Sequence, residues 1–126
     1  MKRKGKYSAF SFKFWCTSYI FLKKGMIKLK ESLFQKNLKK KLKDLFPGCI
    51  ITKLDCNDIQ GIPDLLILYG KHWAVLENKK SKNASHRPNQ DYYVKKMDDM
   101  SFGRFIYPEN EEEVLNDLQQ AFKPDR

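Results

Sequence analysis

The sequence predicts an α/β fold, a central mixed sheet flanked by helices, with elements in the order α-β-β-β-α-β-α. Three observations predict it: apolar residues recur at helical spacing in three separate stretches, two apolar runs are separated only by Gly70-Lys71, and the pattern becomes regular at Met26. A chain of 126 residues is the size of one domain, and a hydrophobic fraction of 41% is enough for a modest core.

Residues 27–46 read as a helix. Ile27, Phe34, Leu38, Leu42 and Leu45 form one apolar stripe, with Lys36, Lys39, Lys40 and Lys43 on the other side. Phe46-Pro47-Gly48 stops it, because proline and glycine both break helices. Cys49 to Leu54 is rich in β-branched residues and reads as a strand. Asp64 to Tyr69 and His72 to Glu77 are the two apolar runs, and glycine at the first loop position between them suits a type II′ hairpin turn. Both faces of these strands are mainly apolar, which asks for cover on both sides of the sheet. After a loop over residues 81–88, Asn89 to Met100 reads as a helix with Tyr93, Val94, Met97 and Met100 on one stripe. Tyr92 and Tyr93 are expected in the core. Arg104 to Tyr107 is a short strand closed by Pro108. Asn110 is a good N-cap with Glu113 in the capping-box position, and Val114, Leu115, Leu118, Ala121 and Phe122 make the buried side of the last helix.

The formal net charge of +10 is unevenly spread. Residues 1–30 hold nine of the 25 basic side chains and no acidic one, which leaves 16 basic against 15 acidic beyond them. Residues 1–25 are therefore set apart as a basic, aromatic N-terminal extension, and residues 26–126 as the folded domain. The extension is expected to be a poorly ordered tail, with a nucleic-acid-touching arm as the functional alternative. Lys13 interrupts its apolar run and no small-residue cleavage site follows, which argues against a secretory signal. Three cysteines (Cys16, Cys49, Cys56) without CxxC spacing and two histidines (His72, His86) argue against a disulfide framework or a structural zinc site. A reducing cytoplasm fits best. No run approaches membrane-spanning length, so no membrane partner is expected.

The chemistry concentrates at the open end of the hairpin. If Gly70-Lys71 is a two-residue loop, Tyr69 faces His72, and counting outward Asp64 faces Glu77 on one face of the sheet. Like charges placed opposite each other repel, and a divalent cation between them turns that repulsion into binding. Lys79, two residues beyond Glu77, points to the same face and can hold a water beside the metal, whereas Lys80 points away. The bland alternative is a pair of solvated strand-end carboxylates salt-bridged by Lys79. Three features weigh against it. Pro63 fixes the backbone just before Asp64, and Glu77 directly ends an apolar strand. Glu31, the third, shares the apolar stripe of the first helix. A carboxylate there is either a ligand or metal-neighbouring group, or a solvated charge at the helix start. Gln90 sits likewise on the stripe of Tyr93, Val94 and Met97, with a polar helix-start residue as its alternative.

The pattern Gly61-Ile-Pro-Asp64 followed by Glu77-Asn-Lys79, within an αβββαβ order, resembles the PD-(D/E)XK nuclease superfamily. It is most similar to the small phage-encoded endonucleases of the VRR-Nuc and Holliday-junction-resolvase kind, as are Ile59 to Leu65 and Ala84 to Gln90. The resemblance covers about residues 28–122 and implies a restriction-endonuclease-like core with an added C-terminal helix. It implies Asp64 and Glu77 as metal-binding carboxylates, the backbone carbonyl of Asn78 as a further ligand and Lys79 as the group orienting the attacking water. Glu31 would be the helix-borne acidic residue and Gln90 the glutamine that follows the core hairpin. The activity implied is Mg²⁺-dependent hydrolysis of DNA phosphodiesters, with Mn²⁺ able to substitute and no small-molecule cofactor. A branched substrate such as a Holliday junction, a homodimer and a setting in a bacterial host are part of the same implication. A nicking or restriction-type enzyme on duplex DNA, and a binding module without catalysis, are the alternatives. Lys80, Lys82 and Arg87 flank the site and are expected to hold the DNA backbone. His86, a lone loop histidine, reads as incidental, with phosphate contact as its alternative. The name-giving VRR motif is not cleanly present, which leaves the substrate open.

Overall fold

The computed structural model describes residues 32–123. The extension over residues 1–25, Ile27 and Glu31 lie outside the described residues. Helix α1 is described over residues 32–45. The elements that follow are β1 (Ile50–Lys53), β2 (Leu65–Tyr69), β3 (His72–Asn78), α2 (Pro88–Met100), β4 (Gly103–Ile106) and α3 (Glu111–Ala121). The predicted order is therefore present. No helix among the described residues is long and apolar enough to cross a membrane.

The sheet runs β1-β2-β3-β4. β1 and β3 each pair antiparallel with β2, while β4 lies parallel to β3, so the sheet is mixed. A parallel partner cannot be reached through a tight turn, and α2 supplies the crossover from β3 to β4. The hairpin register is the predicted one, with Tyr69 opposite His72 and Leu65 opposite Leu76. Gly70 has φ +61° and no non-glycine residue among those described has a positive φ, which fits a type II′ turn with glycine in its first position.

One face of the sheet carries the main core. Leu65, Ile67, Ala74 and Leu76 point together and pack with Leu38, Leu42 and Phe46 from and just after α1, and with Val114, Leu115, Leu118 and Phe122 from and just after α3. The aromatic rings of Phe46, Tyr69 and Phe122 close the turn end of this core. On the opposite face, α2 packs against β3 and β4 and buries Val94. Gly103 makes that close packing possible. A Cβ there would stand 2.7 Å from the Val94 carbonyl oxygen and 2.9 Å from the Asp98 nitrogen.

Several expectations fail in informative ways. Cover of the second face stops at β3: Ile50 is 61% and Leu68 39% exposed, because one helix spans only half a four-stranded sheet. The stripe of α1 turns slightly, so Phe46 is buried and Leu45 is not. In α2, Met100 (66% exposed) and Tyr92 (55%) lie at the surface instead of in the core. Ala121 is exposed too. Asn110 stands at the N-cap position of α3 but makes no capping hydrogen bond. Its side chain turns back instead, accepting from the Tyr107 N–H (2.8 Å) and donating to the Phe105 carbonyl (3.0 Å).

Candidate active site

β2 and β3 pair regularly up to Leu65 and Leu76, and there the ladder changes character. The Asp64 N–H donates to the Glu77 carboxylate (Oε2, 3.0 Å), and the Asn78 N–H donates to the Asp64 carboxylate (Oδ2, 3.0 Å). Each acidic side chain thus caps a backbone amide of the opposite strand. Asp64 and Glu77 are held together as the register requires, but by reciprocal side-chain hydrogen bonds. The neighbouring strands anchor both: the Leu54 N–H donates to the Asp64 carbonyl (2.9 Å), and the Lys79 N–H to the Ile106 carbonyl (2.8 Å).

The approach to Asp64 is shaped by Gly61 and Pro63. Gly61 has φ +88°, and a Cβ there would fall 2.4 Å from the Cβ of Asn89, so only glycine lets this loop lie against the start of α2. Pro63 is fully buried behind it. This contact joins the loop that carries Asp64 to the helix that carries Gln90.

Gln90 is the hub of the cluster. Its Nε2 donates to Glu77 Oε1 at 2.7 Å, and its Oε1 accepts from Lys79 Nζ at 2.7 Å and from the Arg87 N–H at 3.1 Å. These contacts also settle which amide atom faces which partner. Lys79 Nζ donates further to the Ser85 carbonyl at 3.1 Å. Lys79 forms no direct ion pair with either carboxylate among the described residues; Gln90 stands between them. A simple salt bridge is therefore not what holds this cluster.

Glu77 is 4% exposed and the only charged residue in the buried set among those described. Burial, followed by the adjacent Asp64 charge, pushes its carboxyl up to about 7, against the opposing pull of Lys79 and the Asp64 N–H. Burial also raises the Asp64 carboxyl, opposed by the Asn78 N–H and the charges of Lys79 and Lys53. Two carboxylates kept close in a drying environment are poorly compensated by the protein alone.

Among the described residues, no group of three His, Cys, Asp or Glu side chains is placed to hold a metal ion. A pair of carboxylates with spare lone pairs suits Mg²⁺, which is commonly bound through one or two carboxylates with water and substrate phosphate completing the shell. The donor set fits such a cation. The side-chain amide of Asn78, between Glu77 and Lys79, is buried with neither its nitrogen nor its oxygen hydrogen-bonded.

The structure thus brings Asp64, Glu77, Lys79 and Gln90 into one network. Lys80, Lys82 and Arg87 are exposed around it. Glu31 lies outside the described residues. Sequence reasoning missed the Ser85 carbonyl and the Gly61–Asn89 contact, which are both backbone effects without a side-chain signature. It also passed over Phe105, which pairs with Glu77 in the parallel ladder.

A mixed four-stranded sheet with a carboxylate pair at the open end of its central hairpin defines the class, an α/β domain of restriction-endonuclease-like architecture. Within that class, a solved VRR_NUC domain is similar to this chain, with a TM-score of 0.57 and 23% sequence identity over 69% of this chain and 95% of that domain. The likeness establishes the VRR_NUC fold, as the Gly61–Asp64 and Glu77–Lys79 motifs led one to expect. No protein-family model matches the sequence, and no curated protein is significantly similar to it.

Proposed function

We propose that this chain is a metal-dependent endonuclease that hydrolyses phosphodiester bonds in DNA. The observation that carries this reading is the buried Glu77 carboxylate, held against Asp64 and bridged through Gln90 to the Lys79 ammonium. A buried carboxylate held against a half-buried one is a costly arrangement of the kind that clusters at functional sites.

Asp64, Glu77 and the backbone carbonyl of Asn78 would hold the ion, with Glu31 a further candidate. A divalent cation there supplies Lewis-acid polarisation of the scissile phosphate and lowers the pKa of bound water. Lys79 orients the attacking water and offsets negative charge growing on the phosphate oxygens. Gln90 keeps the lysine and the glutamate at fixed separation, which is pre-organisation of the reacting groups. Water adds to phosphorus as the bond to the departing sugar oxygen breaks, leaving one phosphomonoester and one hydroxyl end. Lys80, Lys82 and Arg87 hold the flanking backbone. Branched DNA such as a four-way junction is the proposed substrate, inside a bacterial cell and of host or phage origin. Symmetric cutting of such a junction asks for a homodimer.

The test is a cleavage panel of four-way junction, flap, single-stranded and linear duplex DNA with Mg²⁺ or Mn²⁺. Cutting is expected on the branched substrates and is abolished by EDTA. Lys79→Ala should still bind DNA but cut about 10²–10³-fold more slowly. A Lys79→Ala protein that cuts at the wild-type rate would overturn the site. Binding without cutting by the wild type would make the chain a binding module instead.

A further inference from the structure

The loop between β3 and α2 delivers more to the site than the Ser85 carbonyl. The next residue is His86, whose ring lies against Phe105 with centroids 4.1 Å apart and planes inclined by 22°. Its Nδ1 is hydrogen-bonded to Asp91 Oδ1 at 2.9 Å. Phe105 is the ladder partner of Glu77 and so presents its side chain on the same face. The Lys79 Nζ lies 6.0 Å from the centroid of that same ring. One aromatic side chain therefore carries an imidazole and an ammonium together, beside the carboxylate pair.

An incidental loop histidine would turn freely. This one is fixed by a stack on one side and a carboxylate on the other, yet its side chain keeps 30% of its surface open. Nδ1 is engaged, while Nε2 has no hydrogen-bond partner among the described residues. With Asp91 on Nδ1 and an anion at Nε2, both nitrogens act as donors, as they do in the doubly protonated ring. Arg87 and Lys82 are exposed on the same loop and make it a basic one.

We propose that His86 is a phosphate-binding residue of this site, donating from Nε2 to a non-bridging oxygen of a DNA backbone phosphate next to the scissile one. Asp91 and Phe105 are the positioning residues that hold the ring for it. The identity of the anion rests on the nuclease reading; the geometry of the ring does not.

The test measures binding by the full chain, with Ca²⁺ in place of Mg²⁺, to a synthetic four-way junction and a linear duplex. Single neutral methylphosphonates are walked along the backbone of each. His86→Ala should bind unmodified DNA about tenfold more weakly, the worth of one partly exposed charge-assisted hydrogen bond. One methylphosphonate position should weaken the wild type by a similar factor and leave His86→Ala unaffected, since the two changes remove the same contact. His86→Gln, which keeps an N–H donor, should recover part of the loss. An His86→Ala protein that binds as tightly as wild type, or stays equally sensitive at every methylphosphonate position, would reduce His86 to packing and overturn the proposal alone. Absence of DNA binding by the wild type would overturn this proposal and the nuclease reading together.

Discussion

The two ends of the β2–β3 hairpin are built on opposite terms. At the turn end, Gly70 adopts the positive φ that a two-residue loop needs, and the strands pair residue for residue from Tyr69–His72 to Leu65–Leu76. The side chains there feed an apolar core, and aromatic rings seal it. One step further, the ladder is taken over by two carboxylates that cap each other's strands. The glutamate is buried enough for its carboxyl to rise to about 7. The first end is a source of stability. The second spends some of that stability to keep like charges close, as functional sites commonly do.

That contrast can be broken first at the core. Leu76 is fully buried and immediately precedes Glu77, so Leu76→Ala removes packing from the stable half beside the site. It should cost about 2–5 kcal/mol of stability, seen as a lower denaturation midpoint with an unchanged m-value. A loss well below 1 kcal/mol, smaller than a buried methylene group is worth, would mean that the core relaxes and that the hairpin is less rigid than its packing suggests.

The division also explains what the sequence made legible. The register was readable because a Gly-Lys loop leaves only one pairing that keeps both apolar sets on their faces. From that register the meeting of Asp64 with Glu77 follows, and Gln90 was visible as a polar residue on an apolar stripe. The reciprocal capping was not readable, since strand pairing specifies which residues meet and not whether their ladder continues. Asn110 stands at the N-cap position as expected, but its missing capping bond has a related reason. Cap propensity is local, but the unpaired backbone of Phe105 and Tyr107 offered its amide better partners. Met100 and Tyr92 were misplaced because helical period specifies a stripe and not the width of the sheet beneath it. Gly61 was noticed within a motif, yet its reason, contact with Asn89, exists only in three dimensions.

The strained end makes a prediction of opposite sign. Asp64→Asn keeps an oxygen to accept the Asn78 N–H while removing the charge beside Glu77. In EDTA it should raise stability by on the order of 1 kcal/mol at neutral pH, and with Mg²⁺ present it should abolish cutting. The pH dependence follows from the same pair. Glu77 is raised from 4.5 to about 7 in the folded state, so between those values the native chain holds a proton that the unfolded chain has released. Its contribution is therefore full below pH 4.5 and is lost as pH rises through about 7. Without metal, the wild-type melting temperature should carry this decline, and Asp64→Asn should show a shallower one. Divalent-ion affinity should run the other way, rising with pH as Glu77 ionises. A titration with flat affinity across that window would show that Glu77 is not a ligand.

The smallest effect on the site belongs to the turn. Gly70 holds φ +61°, and a Cβ there would meet nothing within 4 Å, so any penalty for Gly70→Ala is conformational and not steric crowding. Holding alanine at such a positive φ costs on the order of 1–3 kcal/mol. The register should survive, because slipping by one residue would turn one strand's pair, Leu65 and Ile67 or Ala74 and Leu76, out of the core, a far larger loss. Gly70→Ala is thus expected to lower the melting temperature modestly while the Asp64–Glu77 pair, the DNA affinity and the cutting rate stay as they are. A variant that kept its stability but lost cutting would mean the turn sets the geometry of the carboxylates directly. The two ends of the hairpin would then be one mechanical unit, and the division between them would be wrong.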